Sequence, residues 1–312
     1  MAAYEAELHE LHETHPWVFL YRFAEGRATM LDKPQIVPDQ PAFASDPPLK
    51  RALIYLGLFA SVARRLPRSP RFLLALDVSD TPWDHSAAPV FSFQKRARAP
   101  NILVPDVDLL LERYVFSTFK NTDNVPFARK SNTAMFVGSS TGGIITEEAV
   151  KERSLPRLRS ALYFRGNARV TFALPNLVQC ATPEVEAELR RIGFGTGAAN
   201  WKEHFRHRFL LSMDGNGATC ARVAIALKSR CVLVKYESIY VLHYFSGLRP
   251  WQHYVPVERD ENVEQVLDAA ERDPAIFEEI ARQSRRFALT FLNRRAIEAY
   301  VEELLMLCDA LL

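Results

Sequence analysis

Cysteine is sparse in this chain and badly spaced for cross-linking. Cys180, Cys220, Cys231 and Cys308 form no CxxC pair, which argues against a disulfide framework or zinc site and makes a reducing compartment the default. No stretch approaches the ~20 apolar residues that a membrane span requires. The N-terminal segment MAAYEAELHELHETHPWVFLYRF is charged and lacks an uninterrupted apolar core, so it does not read as a signal peptide. The expectation is a cytoplasmic chain with no integral membrane segment, peripheral membrane association being left open. A lumenal enzyme trimmed of its leader would look the same. Net charge is also missing: a formal +2 at pH 7 gives no global field for nucleic acid or an anionic surface. Neither a GxGxxG turn with a downstream acidic residue nor a Gly-Lys-Ser/Thr phosphate loop occurs, which counts against nicotinamide chemistry and P-loop nucleotide hydrolysis.

What is present fits a globular protein. The 312 residues are 48% hydrophobic and 24% charged, enough for one large domain or two smaller ones. The basic residues are 30 Arg against 9 Lys; Arg carries a planar fork of donors suited to phosphate and carboxylate, although a GC-rich genome gives the same bias. His9, His12 and His15 recur beside Glu10 and Glu13. Glu13 stands where a zinc-protease motif needs its second His, so a solvated helix face is the better reading.

Hydrophobic period predicts a polar helix over residues 1–15, a proline-rich loop over 33–50, a helix from Leu53 to Leu66 and a buried strand from Phe72 to Asp77. Strands at 88–93 and 101–104 and a helix over 106–119 complete a first series. A second begins near Asn132, with strands at 133–137, 169–173, 207–213, 231–235 and 254–257, helices at 147–162 and 183–192, and helix almost throughout 262–312. Two successive strand–helix series imply an α/β fold with mostly parallel sheets. The boundary falls before the second series, giving domains of 1–128 and 129–312.

Three constellations carry chemistry. Gly138-Ser139-Ser140-Thr141 continues into Gly142-Gly143 after a predicted strand, a turn whose backbone amides can approach an anion; a plain strand–helix turn is the other reading. Asp214-Gly215-Asn216 again follows a strand, and Arg222 lies early on the helix beyond it, where its charge can meet a phosphate. A simple Asp-Gly turn and a surface Arg are the alternatives. Lys235, Glu237 and Ser238 close a third strand, at the sheet edge where open α/β folds bind ligands. Trp251, His253 and Tyr254 follow, as an aromatic wall or as core.

Asp214-Gly215, Val232-Leu233-Val234-Lys235, Ser238-Ile239-Tyr240, His243-Tyr244 and Leu248-Arg-Pro-Trp-Gln-His-Tyr-Val-Pro-Val257 stand in the order typical of glycosyltransferase family 90. Upstream, Ala88-Pro-Val-Phe-Ser-Phe-Gln-Lys95 and Ser131-Asn-Thr-Ala-Met-Phe-Val-Gly-Ser-Ser-Thr141 resemble further segments of the family, over about residues 70–290. This family includes capsule-associated and lipopolysaccharide-modifying enzymes and protein O-glucosyltransferases and O-xylosyltransferases. The resemblance implies a GT-B type fold, with two Rossmann-like domains facing an interdomain cleft and the terminal helix packing back on the first. It implies inverting transfer of glucose, xylose or galactose from a UDP-sugar to a glycan or polypeptide hydroxyl, lipopolysaccharide or capsule glycan being favoured. By motif, Asp80 in Leu76-Asp-Val-Ser-Asp-Thr-Pro82 is the implied general base.

An inverting transfer needs one carboxylate to deprotonate the acceptor and cationic or backbone donors to absorb charge on the leaving diphosphate. It requires no metal or other cofactor. The implied donor-binding set is Gly138, Ser139, Ser140, Thr141, Arg153, Asp214, Gly215, Asn216, Arg222, Lys235, Glu237 and Ser238. Asp106-Val-Asp108 imitates a DxD metal motif but reads as a helix N-cap pair. Val137 and Ser140 replace frequent family arginines, and Leu242 a frequent glutamate. Arg153, Arg165 or Arg222 is expected to restore the charge and Glu237 the carboxylate. These departures also motivate the alternative of a weak or inactive relative that binds nucleotide or carbohydrate.

Overall fold

A computed structural model of the protein describes residues 2–32, 48–68, 70–83, 88–111, 122–218 and 220–311. The chain packs as two compact units, each discontinuous in sequence. One is Met1–Tyr114 with Ile239–Phe245 and Asn293–Leu312; the other is Val115–Ser238 with Ser246–Leu292. The sequence places a single boundary between residues 128 and 129, because a hydrophobic period identifies an element without naming the sheet it joins.

In the first unit, α1 (Ala2–Thr14), the hairpin β1 (Val18–Ala24) and β2 (Arg27–Met30), α2 (Pro48–Ala63), β3 (Phe72–Asp77), β4 (Val90–Ser92), β5 (Gln94–Arg96), β6 (Ile102–Leu103) and α3 (Val107–Leu111) follow in order. The sheet runs β2-β1-β3-β4-β6. Its β3, β4 and β6 are parallel, whereas β1 is antiparallel to both β2 and β3. The hairpin is absent from the sequence-based element series. Its turn, Glu25-Gly26, has positive φ at both positions (52° and 70°), the geometry whose twist suits a two-residue hairpin. Burial is complete along Phe72–Asp77, as its short apolar run predicts, and each such large side chain contributes roughly 1.5–3 kcal/mol.

One turn beyond buried Leu8, on the same face of α1, His12 is buried rather than solvated. Its ring nitrogens lie 3.2 Å from the Val18 carbonyl and 3.0 Å from that of Asp32. The Asp106 carboxylate accepts from the Asp108 amide at 2.7 Å, at the start of α3; residues 112–119 of the helix expected there lie outside the described residues.

The second unit contains β7 (Ser131–Ser139), α4 (Glu147–Glu152), α5 (Pro156–Tyr163), β8 (Val170–Asn176), α6 (Pro183–Arg191), α7 (Trp201–His204), β9 (His207–Ser212), α8 (Cys220–Lys228) and β10 (Val232–Tyr236). After β11 (Tyr240–Leu242), which pairs with β5 in the first unit, come β12 (Val255–Val257), α9 (Asp260–Arg272) and α10 (Pro274–Phe291); α11 (Arg294–Leu311) belongs to the first unit. The helix expected over 147–162 is two helices. Arg153 ends α4 in the left-handed conformation, φ 54°, and Pro156 opens α5.

All strands of this second sheet are parallel, in the order β12-β10-β9-β7-β8. From the first strand, β7, the chain moves to β8 on one side and later to β9 on the other. That reversal opens a crevice at the carboxyl ends of β7 and β9. The opposite edge is fixed by a buried ion pair: Lys130 Nζ lies 2.9–3.0 Å from both Asp123 oxygens, with both side chains fully buried. Asp123 also accepts from the Val125 and Arg230 amides. Among the described residues no helix is long and apolar enough to cross a membrane.

Candidate functional site

The site is built where the crevice predicts it. Gly138 and Ser139 end β7 and the loop after it carries Ser140 to Gly143, the loop after β9 carries Asp214 to Gly217, and α5 and α8 bring their first turns to the same edge. Gly142 and Gly143 have φ of +120° and +146°, a backbone that L side chains seldom adopt. Gly215 answers a different need. A Cβ there would stand 2.3 Å from Thr141 Oγ1 and 2.8 Å from Arg157 Nη2, so only glycine admits the contact between the two loops.

Arg157, which the sequence does not single out, occupies the centre. It is buried, and its guanidinium donates to the Asp214 carbonyl at 3.0 Å, the Ser139 carbonyl at 2.8 Å, the Met213 carbonyl at 2.9 Å and Thr141 Oγ1 at 2.6 Å. Its position between Pro156 and Leu158 looks like an ordinary exposed helical arginine. The approach of the β7 and β9 strand ends and their loops buries it. The one sequence signal is its place in the first turn of a helix opened by proline at a sheet's carboxyl edge.

Arg222, on the first turn of α8, lies beside it. One Nη donates to the Val137 carbonyl, and the guanidinium carbon sits 4.4 Å from the centre of the Phe136 ring and 5.8 Å from that of Trp201. Its Nε and other Nη are shielded from solvent without a hydrogen-bond partner among the described residues. Burial, and then the neighbouring Arg157 cation, pull Arg222 down to about 9; burial pulls Arg157 to about 10, with Asp214 opposing. Among the described residues neither guanidinium has a carboxylate at ion-pairing distance. Two adjacent guanidiniums outside any ion pair, one of them with unpartnered donors, are suited to an anion, because an uncompensated buried charge is otherwise expensive.

The other expected residues divide by position. Ser140 Oγ donates to the Val178 carbonyl and accepts from its amide, both at 2.8 Å, so it joins two loops. Asn216 Oδ1 accepts from Gly142 N at 3.2 Å and Gln179 Nε2 at 3.0 Å. Asp214 accepts from Ser238 Oγ at 2.5 Å; burial raises its carboxyl, while Ser238, Lys235 and Arg157 oppose the rise. Lys235 is buried and lowered by that burial, with Asp214 and Glu237 opposing. Glu237 is exposed at the end of β10. Arg153 is exposed at the end of α4 and Arg165 lies over Phe194 at 5.3 Å; the structure does not bring either into the hydrogen-bond network around Arg157. Leu242 is buried in β11.

In the first unit, Asp80 follows β3 with its side chain 28% exposed and Oδ1 3.0 Å from Arg51 Nη1. The Asp80 carbonyl accepts from Gln94 Nε2 at 2.5 Å. Asp77, by contrast, is buried and accepts from the Ser79 and Trp83 amides at 2.8 and 2.7 Å, which shapes the turn presenting Asp80.

Residues 56–312 match glycosyl transferase family 90. The chain belongs to that family. Family 90 relatives include protein O-glucosyltransferase 1 of Mus musculus, 24% identical over 266 residues, 78% of this chain and 63% of that protein. The O-glucosyltransferase rumi homolog of Aedes aegypti is 23% identical over 272 residues, 80% of this chain and 64% of that protein. The chain thus spans less than two thirds of the length of these curated relatives. Among solved structures, Anabaena HepE in complex with UDP and glucose is 11% identical, covering 82% of this chain and 76% of that one at a TM-score of 0.44. The C-terminal domain of LpcC from Francisella tularensis is 13% identical, covering 52% and 86% at a TM-score of 0.29. The α/β class expected from the sequence holds for this family 90 chain, with a wholly parallel sheet in the second unit.

Proposed function

We propose that the protein transfers a hexose or pentose (glucose, xylose or galactose) from a UDP-sugar to an acceptor hydroxyl with inversion. The observation that carries this reading is the pair of adjacent guanidiniums, Arg157 and Arg222, set between two glycine-bearing loops with no carboxylate at ion-pairing distance among the described residues. The second unit binds the nucleotide-sugar, and its diphosphate supplies the missing negative charge, accepting from Arg222 Nε and Nη. As the acceptor oxygen bonds to the anomeric carbon, the bond from that carbon to the diphosphate breaks and its electron pair leaves on UDP. The two cations, already fixed, meet the growing charge. The first unit is the acceptor side, and its Asp80 takes the hydroxyl proton and later releases it to solvent.

Lipopolysaccharide or capsule glycan is the favoured acceptor; the names of the curated relatives make a polypeptide hydroxyl the other acceptor to assay. A second reading, a weak or inactive relative that binds nucleotide or carbohydrate, draws on Arg51, which already engages one Asp80 oxygen. Calorimetric titration with UDP, UDP-glucose, UDP-xylose and UDP-galactose, followed by transfer and donor-hydrolysis assays, separates the two. Asp80→Asn is expected to abolish transfer with UDP affinity unchanged; undiminished turnover would remove Asp80 as base. Binding of UDP without turnover of any donor favours the second reading.

A further inference from the structure

Trp251 combines exposure with an unfavourable backbone. Its side chain is 57% exposed, and its φ is +60°, a conformation in which a bulky side chain crowds its own backbone. The turn holding it there is well tied. Trp251 N donates to the Tyr254 carbonyl at 2.7 Å, His253 N to the Arg249 carbonyl at 2.9 Å, and Arg249 N to His253 Nδ1 at 3.0 Å. His253 is itself anchored by the Phe287 ring, 5.0 Å away. No ring or cation contact among the described residues involves the Trp251 indole. Strain that serves no packing marks a functional position.

The indole lines a cleft of about 470 Å³ that also includes Val257, Phe277, Glu237, Glu258, Arg259 and Gln265. Two carboxylates against one guanidinium disfavour an anion, whereas an apolar surface edged by carboxylate and carboxamide groups suits a ring rich in hydroxyls. The aromatic face takes the ring's C–H surface, and Glu237, Glu258 and Gln265 take its hydroxyls. We propose that Trp251 is the stacking platform of a subsite for a neutral polyhydroxylated ring, with Glu237 and Glu258 as its hydroxyl acceptors. Two sources share this chemistry: the nucleoside or sugar of the donor, and a glycan acceptor. Glu237 precedes Ser238, whose hydroxyl meets Asp214 in the arginine crevice, so the cleft and the crevice both draw on the segment that follows β10. The subsite rests on the transfer reading only for the meaning of the nucleoside.

The test uses the full chain, Trp251→Gly and Trp251→Phe, with pyrophosphate, uridine and maltotriose as probes, read by calorimetry and saturation-transfer NMR. Trp251→Gly is expected to weaken uridine or maltotriose by about tenfold, ~1.4 kcal/mol, and Trp251→Phe by much less. Glycine accepts the positive φ, so the melting temperature of Trp251→Gly should equal or exceed that of the parent. A loss confined to uridine assigns the subsite to the donor nucleoside, and a loss confined to maltotriose assigns it to a glycan; both support the proposal. A parent chain that binds neither ring, or a Trp251→Gly chain that binds both unchanged, overturns it. Pyrophosphate reports the arginine crevice alone. Its failure to bind the parent would count against the transfer reading and leave the ring measurements to decide this one.

Discussion

Replacing Arg222 with Met tests the anion site most directly, because Met keeps much of the volume and removes the charge. Burial beside Arg157 brings Arg222 from 12.5 to about 9; at ~1.4 kcal/mol per pH unit this sets an upper bound of about 5 kcal/mol against the charged form. Met forfeits the bond to the Val137 carbonyl, worth ~1.5–3 kcal/mol for a charged donor. It also forfeits the cation's contacts with Phe136 and Trp201, worth ~0.5–2 kcal/mol. The terms nearly cancel, so the ligand-free variant should unfold within about 2 kcal/mol of the parent. With ligand the two diverge. A ligand at a hundredfold its Kd raises the parent's stability by about 2.7 kcal/mol, and that gain should largely vanish in Arg222→Met. Thermal unfolding with and without pyrophosphate and UDP measures both quantities. A variant stabilised by pyrophosphate as much as the parent would refute the assignment of Arg222 to the anion.

The neighbouring glycine makes a steric prediction. Gly215→Ala must displace Arg157 or Thr141, since the new Cβ lies 2.3 Å from Thr141 Oγ1, and is expected to cost roughly 1–3 kcal/mol in urea unfolding while weakening UDP binding. Lys130→Met leaves Asp123 buried without its cation and should cost about 3–5 kcal/mol, with the double variant Lys130→Met, Asp123→Asn recovering part of it. The pH dependence follows from histidines kept neutral by burial. His204 is pulled down to about 4, mainly by desolvation, and His243 to about 3. Below pH ~6.5 the unfolded chain binds their protons and the folded chain does not, so their contribution is complete above that value and declines toward pH 4. At pH 5 the loss is at most ~2 kcal/mol for each. Buried Asp77 and Asp214, both raised, act in the opposite direction. His204→Gln and His243→Gln, which should flatten the acid limb of the unfolding profile, isolate the effect.

Period and turn chemistry made much of both sheets legible. Phe72–Asp77 and Val232–Tyr236 are short apolar runs too brief for helices, and both are fully buried strands. The glycine-bearing loops lie at strand ends because positive φ and close approach admit little else. The β1–β2 hairpin was harder to see, since Val18–Ala24 is buried along most of its length and does not alternate cleanly. His12 was misleading for a related reason: a polar residue on a sparsely apolar helix is buried when its ring satisfies two carbonyls.

The sequence by itself determined most of the segments that become strands and helices, the glycine-bearing turns at strand ends, and the family signature from Asp214 to Val257. These are local properties, set by side-chain period, backbone freedom and motif order. The tertiary structure decided which arginine becomes the buried centre of the site, that β11 belongs to the first unit, and that Trp251 faces solvent on a strained turn. Each of those outcomes depends on residues distant in the chain, because burial of a charge and partnership of a strand are properties of what packs against them.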